Sequence, residues 1–462
     1  MSAPATSRRN GSGSVSSGFT HRRRRGAELV LLLLSLAVGI GGYAAVGIGV
    51  DGEVPTNILG YGGWLALLVL GCHVVVRRTA PYADPVLLPV VSALNGLGLA
   101  MIYRIDLARD GSLAPNQLVW MTLGVILFIT VLLALPDHRR LQAFTYTSGF
   151  AAIVLLLLPL VPGLGNEIRG ARIWISLFGF SFQPGEVAKV LLVIAFAGYL
   201  VLHRDALALA GRRLLFVDLP RGRDLGPILG MWAISLAILV LQRDLGSSLL
   251  FFGLFLVMLY IATERPGWLI VGGLMFLAGA ALAYQLFGHV RIRVLTWLDP
   301  FAYDSGYQII QAMYGMAWGG LVGRGWGQGN PTQTPVPESD FIVAALGEEL
   351  GLTGVMAIIL LYGLIVERGL RTALVCRDAF GKLVASGLAF VVALQVFVII
   401  GGVTKLIPLT GLTSPFISYG GSSLVANWVI IALLLRISDQ ARRPLPEFTG
   451  VTDDDTQVVR TR

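Results

Sequence analysis

The sequence predicts an all-α, polytopic integral membrane protein. Hydrophobic residues make up 55% of the chain and charged residues 13%, and the mean hydropathy is +0.74. The apolar residues gather into stretches of about 20, the length that crosses the hydrocarbon core as a helix. The first 26 residues are rich in Ser, Gly and Arg and end in the run Arg22 to Arg25. The apolar stretch from Ala27 to Ile48 is too long for a signal h-region, and no A-x-A pattern closes it, so it reads as an uncleaved first membrane helix.

Twelve spans follow from the hydropathy, at 28–48, 57–76, 85–103, 117–135, 144–162, 184–202, 227–243, 246–263, 268–287, 341–366, 384–403 and 422–436. The seventh and eighth are nearly continuous. Gln242, Arg243, Asp244 and Gly246 divide them, because one 37-residue helix would overshoot the bilayer. Alternate connections, starting with the N-terminal tail, hold 25 of the 35 Lys and Arg, against nine in the other set. Both termini of a multi-pass protein are therefore expected on the cytoplasmic side. The net charge of +8 mostly expresses this topology and attraction to anionic lipid; no nucleic acid partner is predicted.

Polar residues concentrate in the connections predicted to face outward. In PVPESDFIVAALGEELG (335–351), Asp340 stands at the threshold of an apolar run, where a carboxylate can do chemistry on a lipid-linked substrate or merely cap a helix. Glu348 and Glu349 follow about 12 Å deeper at 1.5 Å per residue, at a depth where ionisable groups are costly unless paired. In GARIWISLFGFSFQPGEVAK (170–189), Pro184 suits the first turn of the sixth span, and Glu186 and Lys189 share a helix face. That pair is either a structural ion pair or, with Gln183, a holder that offers Lys189 to a phosphate. In TKLIPLTGLTSPFISYGGSS (404–423), the Pro and Gly residues forbid a continuous helix, so the backbone lines a wet cavity or is buried in protein. Ser418, Tyr419, Ser422 and Ser423 would supply hydroxyls to such a cavity.

The loop 288–340 carries an apolar-periodic piece from Tyr307 to Trp318, predicted as an interfacial helix, and the run GGLVGRGWGQGN. The run matches no nucleotide-binding fingerprint. It reads as a flexible loop, or as backbone able to approach a bulky substrate. Two cysteines, Cys72 and Cys376, predict neither a disulfide nor a cysteine metal site, and the five His show no ligand spacing for zinc.

Seven motifs in order, GARIW, FQPGEVAK, LQRDLGSS, GYQIIQA, GGLVGRGWGQG, PESDFIVAALGEELG and SPFISYGGSS, make residues 85–437 resemble the SEDS family of peptidoglycan glycosyltransferases, the rod-shape and division polymerases. The two spans ahead of this region look like the actinobacterial rod-shape subgroup. The resemblance implies a ten-helix core over 80–437 with its large outer loop at 288–340, preceded by an extra pair over 27–79 and flanked by disordered tails at 1–26 and 438–462. It implies polymerisation of lipid II outside the membrane, alongside a class B penicillin-binding protein and other elongation or division machinery. It places the essential acid on Asp340 and the family's lysine, glutamate and glutamine on Lys189, Glu186 and Gln183. Independently of the resemblance, Arg172 is a candidate to meet charge on a leaving group, and Ser418 and Ser422 are candidate substrate contacts through their hydroxyls. Gly185 stands where the family usually has Ser, and Val336 where many members have Glu. A divalent cation, Mg or Mn, fits the resemblance, although no ligand set is readable. The rival reading is a flippase for lipid-linked precursors, which would use the same kind of wet cavity.

Overall fold

The computed structural model describes residues 25–168, 170–177, 180–203, 212–214, 217–219 and 222–444. The expected N-terminal tail lies almost wholly outside these residues, but the expected C-terminal tail does not begin at 438: the last helix runs on to Arg442, with Ser438 and Asp439 buried in the bundle, and only 445–462 lie outside the described residues. Twelve long helices occur where hydropathy placed them: α1 Arg25–Asp51, α2 Ile58–Thr79, α3 Leu87–Arg109, α4 Leu113–Ala134, α5 Thr145–Leu157 with a 3-10 turn at each end, and α6 Pro184–Leu202 come first. They continue as α7 Gly222–Leu241, α8 Leu245–Thr263, α9 Gly267–Leu286, then, beyond the outer loop, α12 Ile342–Val375, α13 Ala379–Val403 and α14 Gly421–Arg442. Two shorter helices, α10 Gly288–Leu298 and α11 Tyr307–Gly319, lie within that loop. Eleven of the twelve are long and apolar enough to cross a membrane; α7 carries a shorter apolar stretch, Leu229–Ile238. The chain is an all-α, multi-pass membrane protein.

α3 and α14 are almost wholly buried and form the centre of the bundle, whereas α9 leaves nearly all of its surface uncovered. α1 packs along α3. Gly39 and Gly96 permit this, since a Cβ on Gly96 would lie 2.6 Å from the Gly39 Cα, the close backbone approach that small residues allow between membrane helices. Of the other glycines in the extra pair, Gly42 faces Ala100 and Trp326, while Gly41, Gly60 and Gly63 face open space.

The connections hold what hydropathy could not foresee. Between α5 and α6 lies an antiparallel sheet, β1 Gly165–Ile168, β2 Ala171–Leu177 and β3 Phe180–Phe182, with Ile175 paired to both Gly165 and Phe182. A second hairpin joins β4 Arg212–Leu214 to β5 Val217–Leu219. α11 confirms the predicted helix, but its buried face, Ile309 and Ala312, packs on Phe341, Ala344 and Val403. Tyr307, Tyr314 and Trp318 remain exposed on it.

α12 is not one continuous rod. It breaks at Gly351, whose φ of 70° is left-handed, so Glu348 and Glu349 end a short first segment. The glycine-rich run wraps this break: Arg324 and Gly325 donate backbone N–H groups to the Glu348 and Glu349 carbonyls, and Leu352 and Thr353 donate to Gly320 and Leu321. The Glu349 carboxylate accepts from Arg104 at 2.9 Å and from the Gly327 N–H at 3.0 Å, and Glu348 accepts from the Asn330 N–H at 2.6 Å. Gly323 has φ 86°, and a Cβ there would collide with the Glu349 carbonyl. The run is therefore a packed seam against protein, and the two deep glutamates are its anchors.

Candidate active site

The connections at one end of the bundle enclose a cavity of about 710 Å³, and Asp340, Glu338, Glu186, Gln183, Arg243, Asp244 and Arg293 all line it. Asn116, Trp120, Thr410, Thr413 and Tyr419 complete its polar wall. Six separate stretches of chain thus meet around one space.

Asp340 is held by the backbone on both sides of it. The turn before it is tied to the 414–419 turn: Ser418 Oγ donates to the Ser339 carbonyl at 2.6 Å, and the Tyr419 N–H donates to the Glu338 carbonyl at 2.8 Å. That second turn is fixed in its own right, by the Ser414 N–H on Ser418 Oγ at 2.9 Å, Gln117 Nε2 on the Ser418 carbonyl at 3.1 Å, and the Tyr362 hydroxyl on the Pro415 carbonyl at 2.5 Å. On the other side of Asp340, Phe341 is wholly buried. Phe341 occupies the N-cap position of α12, so Asp340 stands one residue ahead of the helix. Ser339 Oγ donates to Asp340 Oδ1 at 3.0 Å, which orients the carboxylate.

The cations of the cavity come from places the sequence did not single out as a site. Arg293, on α10, donates to the Thr410 carbonyl at 3.1 Å. Burial lowers its pKa, and the nearby charges of Asp244 and Asp340 oppose that shift. Asp244 caps α8 by accepting from the Ser247 N–H at 2.9 Å. Burial pushes its pKa up, and the hydrogen bonds from Ser247 and the charge of Arg293 pull it back. Arg243 and Val336 both line the cavity with left-handed φ values, 60° and 55°. Such backbone costs on the order of 1–3 kcal/mol per residue and persists where surrounding structure over-determines it, as it often does at functional sites.

The site residues expected from sequence separate into two groups. Asp340, Glu186 and Gln183 line the cavity. Lys189 is fully buried behind Glu186, with Nζ 2.5 Å from Glu186 Oε2 and 3.1 Å from Gln395 Oε1, and Gln395 in turn donates to the Thr413 carbonyl at 2.8 Å. It braces the wall from behind. Arg172 is exposed on β2 and is not among the lining residues; its backbone N–H pins the sheet to the Gln242 carbonyl at 3.2 Å. Ser418 is the brace described above, and Ser422 is buried in the first turn of α14 away from the cavity.

Comparison with known proteins places these motifs among relatives. The FtsW/RodA/SpoVE profile, described as a cell cycle protein, matches residues 85–443. The chain is 49% identical over 434 residues to the peptidoglycan glycosyltransferase RodA of Mycobacterium tuberculosis, covering 91% of this chain and 92% of that one. It is 46% identical to the Mycobacterium leprae protein of the same name over 430 residues, with the same coverage. Among solved structures, it resembles a chain of a peptidoglycan synthase complex that coordinates polymerization and crosslinking, with a TM-score of 0.64 and 31% identity over 78% of this chain and 98% of that one. An aspartate-to-alanine mutant of the Thermus thermophilus rod shape determining protein RodA follows, with a TM-score of 0.55 and 27% identity over 78% and 99%.

Proposed function

We infer the function from one premise: the chain belongs to the FtsW/RodA/SpoVE family of cell cycle proteins and is a RodA-like peptidoglycan glycosyltransferase. Its substrate in this reading is lipid II, and its site is the cavity around Asp340. The GlcNAc 4-hydroxyl of one chain attacks C1 of a lipid-linked MurNAc, the C1–O bond to undecaprenyl pyrophosphate breaks, and Asp340 takes the hydroxyl proton. A general base needs a fixed carboxylate at the cavity wall, and the Ser339 hydrogen bond supplies that orientation. Arg243 and Arg293 are the cations that line the same space, and we assign the departing pyrophosphate to them. Lys189 acts through Glu186 and Gln395 as a positioning residue. Among the described residues no three of the cavity carboxylates gather closely enough to share one ion, so a divalent cation bound there would rest on one or two carboxylates and the pyrophosphate itself.

The cavity end is read as the outer face and both termini as cytoplasmic, from the distribution of basic residues. The partner is a crosslinking transpeptidase of the class B penicillin-binding type, working on the strand as it leaves.

The convergence of Asp340 with Arg243 and Arg293 on one cavity carries the reading. In a polymerisation assay with purified protein and lipid II, Asp340→Asn should lower the rate by roughly 10² to 10⁴, while the variant accumulates as well as the native chain. Near-native glycan from that variant would remove Asp340 from the chemistry. A flippase would give no glycan with either protein.

A further inference from the structure

At the opposite end of the bundle, two connections far apart in sequence bring three ligand-type side chains together. His138 opens the 3-10 turn before α5, and Cys376 and Asp378 lie in the link between α12 and α13. Their ligand atoms all fall within 4.8 Å of one another. His138 Nε2 is 3.0 Å from Asp378 Oδ1, and Cys376 Sγ is 3.5 Å from the same oxygen. Ligands on a tetrahedral ion at bond lengths of about 2.0–2.3 Å stand roughly 3.5 Å apart, so these separations are close to those of a coordination shell.

Gly381 keeps the space beside the three clear of a side chain: a Cβ there would collide with His138 Nε2 and stand 2.7 Å from Cys376 Sγ and 3.0 Å from Asp378 Oδ2. Its N–H donates to Asp378 Oδ2 at 2.6 Å, which leaves Oδ1 as the oxygen turned to His138 and Cys376. Behind the imidazole, Asp137 Oδ1 lies 3.8 Å from Nδ1, an atom that is buried and makes no hydrogen bond among the described residues. A carboxylate behind a ligand histidine is the outer contact that commonly fixes its tautomer. Arg139 Nε stands 3.4 Å from Asp378 Oδ1, but its side chain is more than half exposed and can turn into water.

We propose that His138, Cys376 and Asp378 bind a divalent transition metal of borderline softness, Zn²⁺ by the N, S and O donor set, clamping the α4–α5 connection to the α12–α13 connection. Histidine coordinates through Nε2 as the neutral ring, the Cys376 thiol releases its proton to solvent, and water completes the shell. His138 stands 238 positions or more from the other two ligands, so no local spacing unites all three in the sequence.

The test uses the full-length protein in detergent, purified without a polyhistidine tag, stripped by chelator and titrated with Co²⁺. One equivalent should give a thiolate-to-cobalt absorption band that Zn²⁺ displaces, and Cys376→Ala should lose the band while Cys72→Ser keeps it. Asp137→Asn should weaken binding by roughly 10- to 100-fold, the usual loss for an outer contact. Independently of any variant, Zn²⁺ should slow alkylation of Cys376 in the native chain at least about ten-fold, as coordination protects a thiolate. Absence of a band in the native protein, or a band that survives Cys376→Ala, overturns the site, as does an alkylation rate indifferent to Zn²⁺.

Discussion

Asp340 is positioned by residues distant from it in sequence: a serine at 418, a glutamine at 117 and a tyrosine at 362 fix the two turns that present it. The lysine at 189 shows the same division of labour. Its spacing from Glu186 made the ion pair legible, but a spacing of three cannot say which partner faces the cavity and which lies behind it. Removing Lys189 alone leaves Glu186 without its cation in a poorly solvated wall, a loss of about 3–5 kcal/mol for buried pairs, toward the lower end here because Glu186 borders the cavity. Lys189→Ala should therefore unfold at lower temperature than the double variant Glu186→Ala, Lys189→Ala. If Lys189 serves by positioning, the double variant regains abundance but polymerises lipid II slowly. Full activity in the double variant would remove both residues from the site.

Among the elements, helices were legible because a run of about 20 apolar residues has few other uses. The sheet between α5 and α6 was not, since its strands are only three to seven residues long and even β2, Ala171–Leu177, carries only a short alternation. The cations of the site stayed hidden for a related reason. Arg243 sits in a two-helix joint and Arg293 on a helix inside a long connection, and nothing local announces that these places meet Asp340. The glycine-rich run was legible as unusual and misread in consequence: its freedom of backbone serves close packing on the Gly351 break. Arg104→Ala tests that assignment. It leaves Glu349 buried without its guanidinium partner, at a cost of about 3–5 kcal/mol, and should expose the 319–330 segment to protease in detergent. A cleavage pattern identical to that of the native protein would mean that the Arg104 contact does not hold the seam.

At the scale of the whole molecule, the orientation and the N-terminal pair can be tested by separate means. Ser112 is exposed at the cavity end and Cys376 is partly exposed at the other. In intact cells a membrane-impermeant thiol reagent should label Ser112→Cys, and it should reach Cys376 only once the cells are opened in the presence of a chelator; labelling of Cys376 from outside would invert the topology and place Asp340 in the cytoplasm. Cys72 is wholly buried, so its silence carries no topological information. We propose that α1 and α2 form a unit added to a ten-helix core, and the structure shows how closely it is fitted. α1 lies along α3, and Gln328 Nε2 donates to the Gly49 carbonyl at 2.6 Å. A chain beginning near Ala80 with a new basic tail should still insert and polymerise lipid II, but with a lower unfolding temperature because one side of α3 is uncovered. Loss of polymerisation by a truncated chain that remains folded would make the pair part of the enzyme itself.

The seam has a practical corollary for anyone labelling this protein. A glycine-rich stretch in a long outer connection is the usual choice for an inserted epitope or fluorophore, because such loops tolerate extra residues. Here Gly325, Trp326 and Gly327 lie between the Gly351 break and the end of α1: the Gly325 N–H is held by the Glu349 carbonyl, and a Cβ on Gly49 would run into the Trp326 carbonyl. An insertion at that point would pry α1 away from α12, so a probe belongs instead on a single side chain such as Ser112, which is exposed.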